Sequence, residues 1–192
     1  FPQKGKTEPQ LRFGGFSGEW HPITLNDLGE TFNGLTGKNK THFGKGSPFI
    51  TYRNIFNYSG ITNDKNFELV EVSENENQNY VKKGDMFFTT SSETADEVGF
   101  SSVLLFDPPQ KTYLNSFCFG IRLKAKDQMA PEFAQFLFRS PLVRKNIVVL
   151  AQGSTRYNIS KLQFMKLRVL IPILEEQTKI GEFFQALDAR IE

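Results

Sequence analysis

The stretch "SFCFGIRLKAKDQMAPEFAQFLF" (116–138) contains the change of pattern that decides the fold. Phe117, Phe119, Ile121 and Leu123 recur at every second position, the period of a strand with one buried face. Pro131 then stands ahead of "EFAQFLF", where a first helical position tolerates its missing N–H. Upstream, "PFITYRNI" (48–55), "NFELVEV" (66–72) and "FSSVLLF" (100–106) read as strands, and "YVKKGDMFFTT" (80–90) reads as a turn at Lys82–Asp85 leading into another. Downstream, Pro141 opens a second helix over "LVRKNIVVL", and Ser160 with Gln163 has capping-box spacing for a third, short one. "LRVLI" (167–171) is a last strand closed by Pro172. From about Glu175, Ile180, Phe183, Phe184, Leu187 and Ile191 form one apolar stripe of an amphipathic helix. Strands first and helices later predict an α+β domain.

Both ends read as cut from a longer chain. The final helix runs to Glu192 without the Gly or Asn that normally closes one, and Phe1-Pro2-Gln3 has neither an initiator Met nor the pattern of a signal peptide. "FPQKGKTEPQ" (1–10) reads as a linker. In "FSGEWHPITLNDL", Trp20, Ile23, Leu25 and Leu28 are expected to seat the start of the domain.

With 192 residues, 39% hydrophobic and 23% charged, the chain suits one domain with its own core and excludes a membrane protein. The single Cys118 cannot make an internal disulfide, which favours a reducing, cytoplasmic setting. It lies in an apolar run and is expected to be a buried small hydrophobe. The net charge of +2 conceals a gradient. Segment 61–110 holds three Lys/Arg against ten Asp/Glu, whereas 111–168 holds eleven against two. Either one surface meets an anionic partner, or the strands bring the two blocks together and cancel them.

No catalytic pattern stands out. His21 and His42 match no zinc spacing, "GLTGKNKTHFGKGS" (34–47) lacks the phosphate-loop spacing, and there is no nucleophile elbow. The acids Glu71, Glu74 and Glu76, and Glu93, Asp96 and Glu97, sit in polar stretches typical of solvated surface. The expectation is no catalytic residue and no metal site in this chain.

Three stretches suit nucleic acid. The glycine-rich loop 34–46 places Lys38, Lys40 and Lys45 where flexible ammonium groups can meet phosphate. Within "TYRN" (51–54), Arg53 and Asn54 have the chemistry to read base edges, with Tyr52 as a packing or stacking group. "GSTRYN" (153–158) repeats that combination with Arg156, Asn158 and Tyr157, just before the Ser160 cap. The competing possibility is that these side chains satisfy local backbone groups.

"LRFGGFSGEW" (11–20), "KKGDMFFTTSS" (82–92) and "NISKLQFMKLRVLIPILEEQTKIGEFFQALDARIE" (158–192), in that order, resemble the specificity (S) subunit of type I restriction-modification systems. The closing segment carries most of the likeness, through Asn158-Ile159-Ser160, "IPILEEQ" and "FFQALDARI". The likeness spans nearly the whole chain but only one of the two target recognition domains of such a subunit. It implies a linker from the central conserved region at 1–10, a recognition domain of mixed twisted strands and short helices at 11–172, and the start of a long spacer helix at 173–192. The opening segment resembles the exit of that central region, which points to the second recognition domain.

The resemblance further implies reading one half of a bipartite double-stranded DNA target. The partners it implies are methylation (M) subunits, a restriction (R) subunit, and the second recognition domain and spacer helix of the same parent chain. S-adenosylmethionine, ATP and Mg would then be held by partner subunits, and the helical stripe from Ile180 to Ile191 would serve assembly. The rival is a protein-binding assembly module without DNA specificity of its own.

Overall fold

The computed structural model describes residues 1–190. In chain order its elements are β1 (His21–Thr24), α1 (Leu25–Leu28), β2 (Gly29–Asn33), β3 (Phe43–Ile50), α2 (Tyr52–Asn57), β4 (Gly60–Ile61), β5 (Glu68–Val70), β6 (Met86–Thr89), β7 (Ser91–Ser92), β8 (Ser101–Leu104), β9 (Tyr113–Leu114) and β10 (Cys118–Leu123). They continue with α3 (Pro131–Leu137), α4 (Pro141–Val148), β11 (Ala151–Gln152), β12 (Tyr157–Ile159), α5 (Lys161–Phe164), β13 (Arg168–Ile171) and α6 (Leu174–Asp188). The architecture is α+β, as the change of pattern at 116–138 predicts.

A five-stranded sheet in the order β2-β10-β6-β8-β4 forms the centre, antiparallel except for the parallel β4–β8 pair. Alternate residues of its middle strands point to opposite faces, and both faces are buried. Phe88 and Phe119 join Trp20, Phe133, Phe138 and Phe164 in the larger core. Phe87 and Cys118 join Ile50, Ile55, Leu104 and Leu114 in a second one. The expected half-buried strand at 117–123 is therefore a central strand covered on both sides. Phe117 stands just before it and is 53% exposed. Burial also raises the Cys118 thiol pKa, which suits a small hydrophobe.

Three small sheets surround this centre: β1-β13, β5-β3-β9 and β11-β12-β7. Two sequence expectations change here. The loop 34–46 gives way to strand at Phe43, where Gly44 and Gly46 occupy a register shift between Phe43 and Ser47 in the pairing with β5. "PFITYRNI" is strand only to Ile50. Thr51 then starts α2, because its side chain accepts the Asn54 N–H while the Asn54 side chain accepts the Thr51 N–H. That reciprocal cap overrides the strand propensity of Tyr, Ile and Phe.

The helix starts expected at Pro131, Pro141 and Ser160 are all present. Helix α6 crosses α3 at Gly181, where an added Cβ would stand 2.7 Å from the Glu132 carbonyl carbon. Beside this crossing, Gln177 is 1% exposed and ties α6 to the turn before α3. Its Oε1 accepts the Ala130 N–H at 2.9 Å, and its Nε2 donates to the Pro172 carbonyl at 2.9 Å. Arg12 donates from Nε and Nη2 to both oxygens of the buried Glu176 carboxylate, at 2.8 and 2.7 Å. The opening segment lies against the same region: Phe1 stacks on Phe184, and the backbone N–H of Trp20 donates to the Thr7 carbonyl.

Candidate nucleic-acid interface

The chain leaving β6 runs through Thr90 into the short strand β7, and several candidate side chains gather around Thr90–Ser92. Strand β12 pairs with β7, placing Tyr157 opposite Ser92 and Asn158 opposite Ser91. The Tyr52 hydroxyl donates to the Ser91 carbonyl at 3.1 Å. Thr90 bridges two further segments: its N–H donates to the Phe117 carbonyl, and its carbonyl accepts the Ile159 N–H. Tyr52, Arg156, Tyr157 and Asn158, drawn from two distant stretches of sequence, thus share one end of the central sheet. Arg53 follows Tyr52 and is exposed on α2.

Arg156 ends the β11–β12 turn, which begins at Gly153 with a φ of 135°. A side chain rarely tolerates that conformation, so glycine sets the turn that presents Arg156. The exposed Arg156 guanidinium lies 5.4 Å from the centre of the Phe117 ring. A planar cation held over an aromatic face keeps its donors directed outward and loses less freedom on meeting a partner. Sequence reading missed Phe117 because its place in the alternation looks like core. It also missed Lys161, whose ammonium hydrogen-bonds the Asn33 side-chain carbonyl. Neither has a local signal, since the partners lie far apart in sequence.

The other candidates are placed differently. Asn54 is 5% exposed, and both ends of its side-chain amide are hydrogen-bonded. Oδ1 accepts the Thr51 N–H at 2.8 Å, and Nδ2 donates to the Asn66 carbonyl at 3.1 Å. That corrects the expectation of a base reader: Asn54 is a helix cap. Lys38 is likewise committed, with a side chain 3% exposed and its ammonium 2.5 Å from Glu76 Oε2. The Glu76 carboxyl is lowered to about 2 by this bond first, then by the Ser73 N–H and the Gln78 amide. Lys45 pairs at 3.2 Å with Glu71 in the open, and Lys40 is exposed in a single 3₁₀ turn capped by Asn39.

The charge gradient resolves in two ways. Part of it lies inside: Asp85 neutralises Arg122 across the central sheet, while Arg139 and Arg144 keep their charge over Phe100 at 5.0 and 4.7 Å. Those two arginines donate to backbone carbonyls, Arg139 to Ser101, Ile55, Phe56 and Tyr58, and Arg144 to Gly99, Asp96 and Val98. Desolvation lowers the Arg139 guanidinium to about 10. The rest stays outside, on groups such as Arg156 and Lys166.

The stripe of α6 also divides. Ile180 is 9% exposed within the larger core and Phe184 packs against Phe136, while Phe183 and Leu187 are 50% and 43% exposed. Ile191 lies outside the described residues. Among the described residues, no group of three His, Cys, Asp or Glu side chains is placed to hold a metal, and no helix is long and apolar enough to cross a membrane.

The family described as "Type I restriction modification DNA specificity domain" matches residues 17–192. The chain belongs to this family. Its fold is shared with solved S subunits. The S subunit from M. genitalium superposes with a TM-score of 0.62 at 14% identity, over 95% of this chain and 42% of that one. The HsdS subunit from Thermoanaerobacter tengcongensis gives 0.60 at 14% identity, over 100% and 40%. A chain from work on complex assembly and conformational transition of the type I R-M system gives 0.64 at 16% identity, over 100% and 42%. This specificity domain therefore spans about two fifths of the length of the solved chains it matches.

Proposed function

We propose that this specificity domain reads one half of a bipartite duplex DNA target and passes that choice to methylation and restriction subunits, which carry the chemistry. The observation that carries the reading is the family match over 17–192. The group around Thr90–Ser92 supports it. Arg156 over Phe117, Asn158 on β12, and Arg53 beside Tyr52 combine bidentate donors, an amide and aromatic faces on a short-strand scaffold. Arg156 and Asn158 have the donor and acceptor geometry to read guanine and adenine edges in the major groove. Lys40 and Lys45 supply charge for phosphate, which positions the domain without reading sequence. The exposed Phe183 and Leu187 on α6 are the assembly contacts, with a second helix or with methylation subunits. On this reading S-adenosylmethionine, ATP and magnesium are bound by those partners, and the assembled enzyme works on DNA in the cytoplasm.

The test is the methylation profile of the assembled enzyme over a random-sequence duplex library. Replacing Arg53, Arg156 and Asn158 together with Ala should change which half-site is methylated while the other half-site stays fixed. An unchanged profile in an enzyme that still assembles would leave the domain an assembly module without DNA specificity of its own.

A further inference from the structure

A cavity of about 420 Å³ lies away from the Thr90–Ser92 group, between the opening segment, α4 and β13. Among the described residues, four side-chain cations line it, Lys4, Lys6, Lys145 and Arg168, and no carboxylate side chain does. None of the four makes an ion pair among the described residues. The start of α4 also contributes, through Leu142 and Val143. Among the described residues no side chain caps this helix: Ser140 at the cap position donates its hydroxyl to the Leu137 carbonyl instead, and Pro141 has no N–H. The helix N-terminus thus keeps free donors and the positive end of its dipole. Trp20 lines the same cavity and is 1% exposed, and the only polar atom of its side chain, Nε1, is buried without a hydrogen-bond partner among the described residues. An indole N–H is a donor only, and burying one unpaired is unfavourable.

We propose that this cavity is a binding site for a small oxyanion of the phosphate class. The charged side chains of its lining all point to the same class of ligand. Four cations without a counter-charge favour an anion with more than one negative charge, and an uncapped helix start supplies N–H donors to its oxygens. Apolar walls from Leu137, Val143 and Val169 lower the local dielectric and strengthen each of these bonds. The volume falls in the range of small-molecule sites. The inference does not depend on the DNA reading above, since it uses none of the same residues.

Trp20 is the single tryptophan, so fluorescence excited at the red edge, where tyrosine does not absorb, reports on this residue of the cavity wall. The experiment titrates the 192-residue protein with inorganic phosphate, with sodium chloride holding the ionic strength constant. The expected result is a saturable change in emission. Lys145→Ala and Arg168→Ala should each weaken the apparent affinity at least five-fold, whereas Lys126→Ala, an exposed lysine outside the cavity, should leave it unchanged. Lys145 and Arg168 are both exposed, so far-UV circular dichroism of these variants should match the parent. No saturable change in the parent protein, or equal affinity in all three variants, overturns the proposal. A short duplex identifies the source. A phosphate titration repeated in the presence of the duplex that gives a weaker apparent affinity assigns the site to a DNA backbone phosphate, and an unaltered titration assigns it to a free phosphate compound.

Discussion

Arg122 on β10 donates from Nε and Nη2 to the two carboxylate oxygens of Asp85, at 2.8 and 2.6 Å, across the end of the central sheet. Asp85 is 2% exposed, and burial raises its pKa even with the guanidinium beside it. Removing the partner strands a buried charge. Arg122→Met should therefore cost about 2–4 kcal/mol, below the ~3–5 of a fully buried pair because Arg122 is partly solvated. Urea unfolding at neutral pH, with an unchanged m-value, checks this. A loss under 1 kcal/mol would mean that water replaces the guanidinium.

Glu76 gives a pH-dependent contact. Its folded pKa is depressed, so the Lys38–Glu76 bond adds stability above the unfolded value of about 4.3 and loses it as pH falls through about 2. A carboxyl-resonance titration by NMR should place the Glu76 midpoint at about 2. Lys38→Met should move that midpoint up toward the ordinary glutamate range. A midpoint that ignores the substitution would show that the Ser73 and Gln78 bonds hold the carboxylate by themselves.

The basic side chains at the candidate interface should separate by type. In the assembled enzyme, Lys40→Ala should weaken binding to every duplex alike and reduce the salt slope by roughly one unit. Arg156→Ala should cost ~1–3 kcal/mol and relax choice at one base pair. Phe117→Ala should follow Arg156→Ala in kind but with a smaller effect, because it removes the platform and keeps the donors. Equal loss at all sites for Arg156→Ala would make that residue a phosphate contact.

The two sides of α6 predict opposite outcomes. Ile180→Ala removes a core side chain and should lower stability by about 2–4 kcal/mol, read by thermal or urea unfolding. Replacing Phe183 and Leu187 with Glu should leave the melting temperature within a few degrees and impair co-purification with methylation subunits. Collapse of melting in that double variant would place both side chains in the domain's own packing.

Local chemistry made much of this fold readable. Pro131 and Pro141 fix helix starts through φ and a missing donor, Ser160 does so through its cap, and the run Met86-Phe87-Phe88-Thr89 has few alternatives to a strand. The misreadings have two causes, a local cap hidden under strand propensity and partners distant in sequence. Thr51 and Asn54 looked like strand because tyrosine and isoleucine follow them, yet two reciprocal bonds make a helix start. Lys38 looked free because Glu76 is 38 residues away. Phe117 looked like core because a period of two says nothing of where a strand begins, and only the fold brings it to Arg156. Tyr52 and Asn158 could each be named from sequence, but nothing local shows that Ser91 joins them.

Gly181 has a mechanical consequence. Because α6 meets α3 backbone to backbone at that point, and Gln177 and Glu176 clamp its first turns, the heading of the helix is fixed by the interior of the domain. A 15-residue helix is a rod of roughly 22 Å, so a tilt of ten degrees at its root moves its tip by about 4 Å. Gly181→Ala forces such a tilt or a slide, and it does so without touching any residue near Arg156. A change confined to this crossing would shift where the domain sits relative to anything gripping the far end of α6, leaving its own chemistry intact.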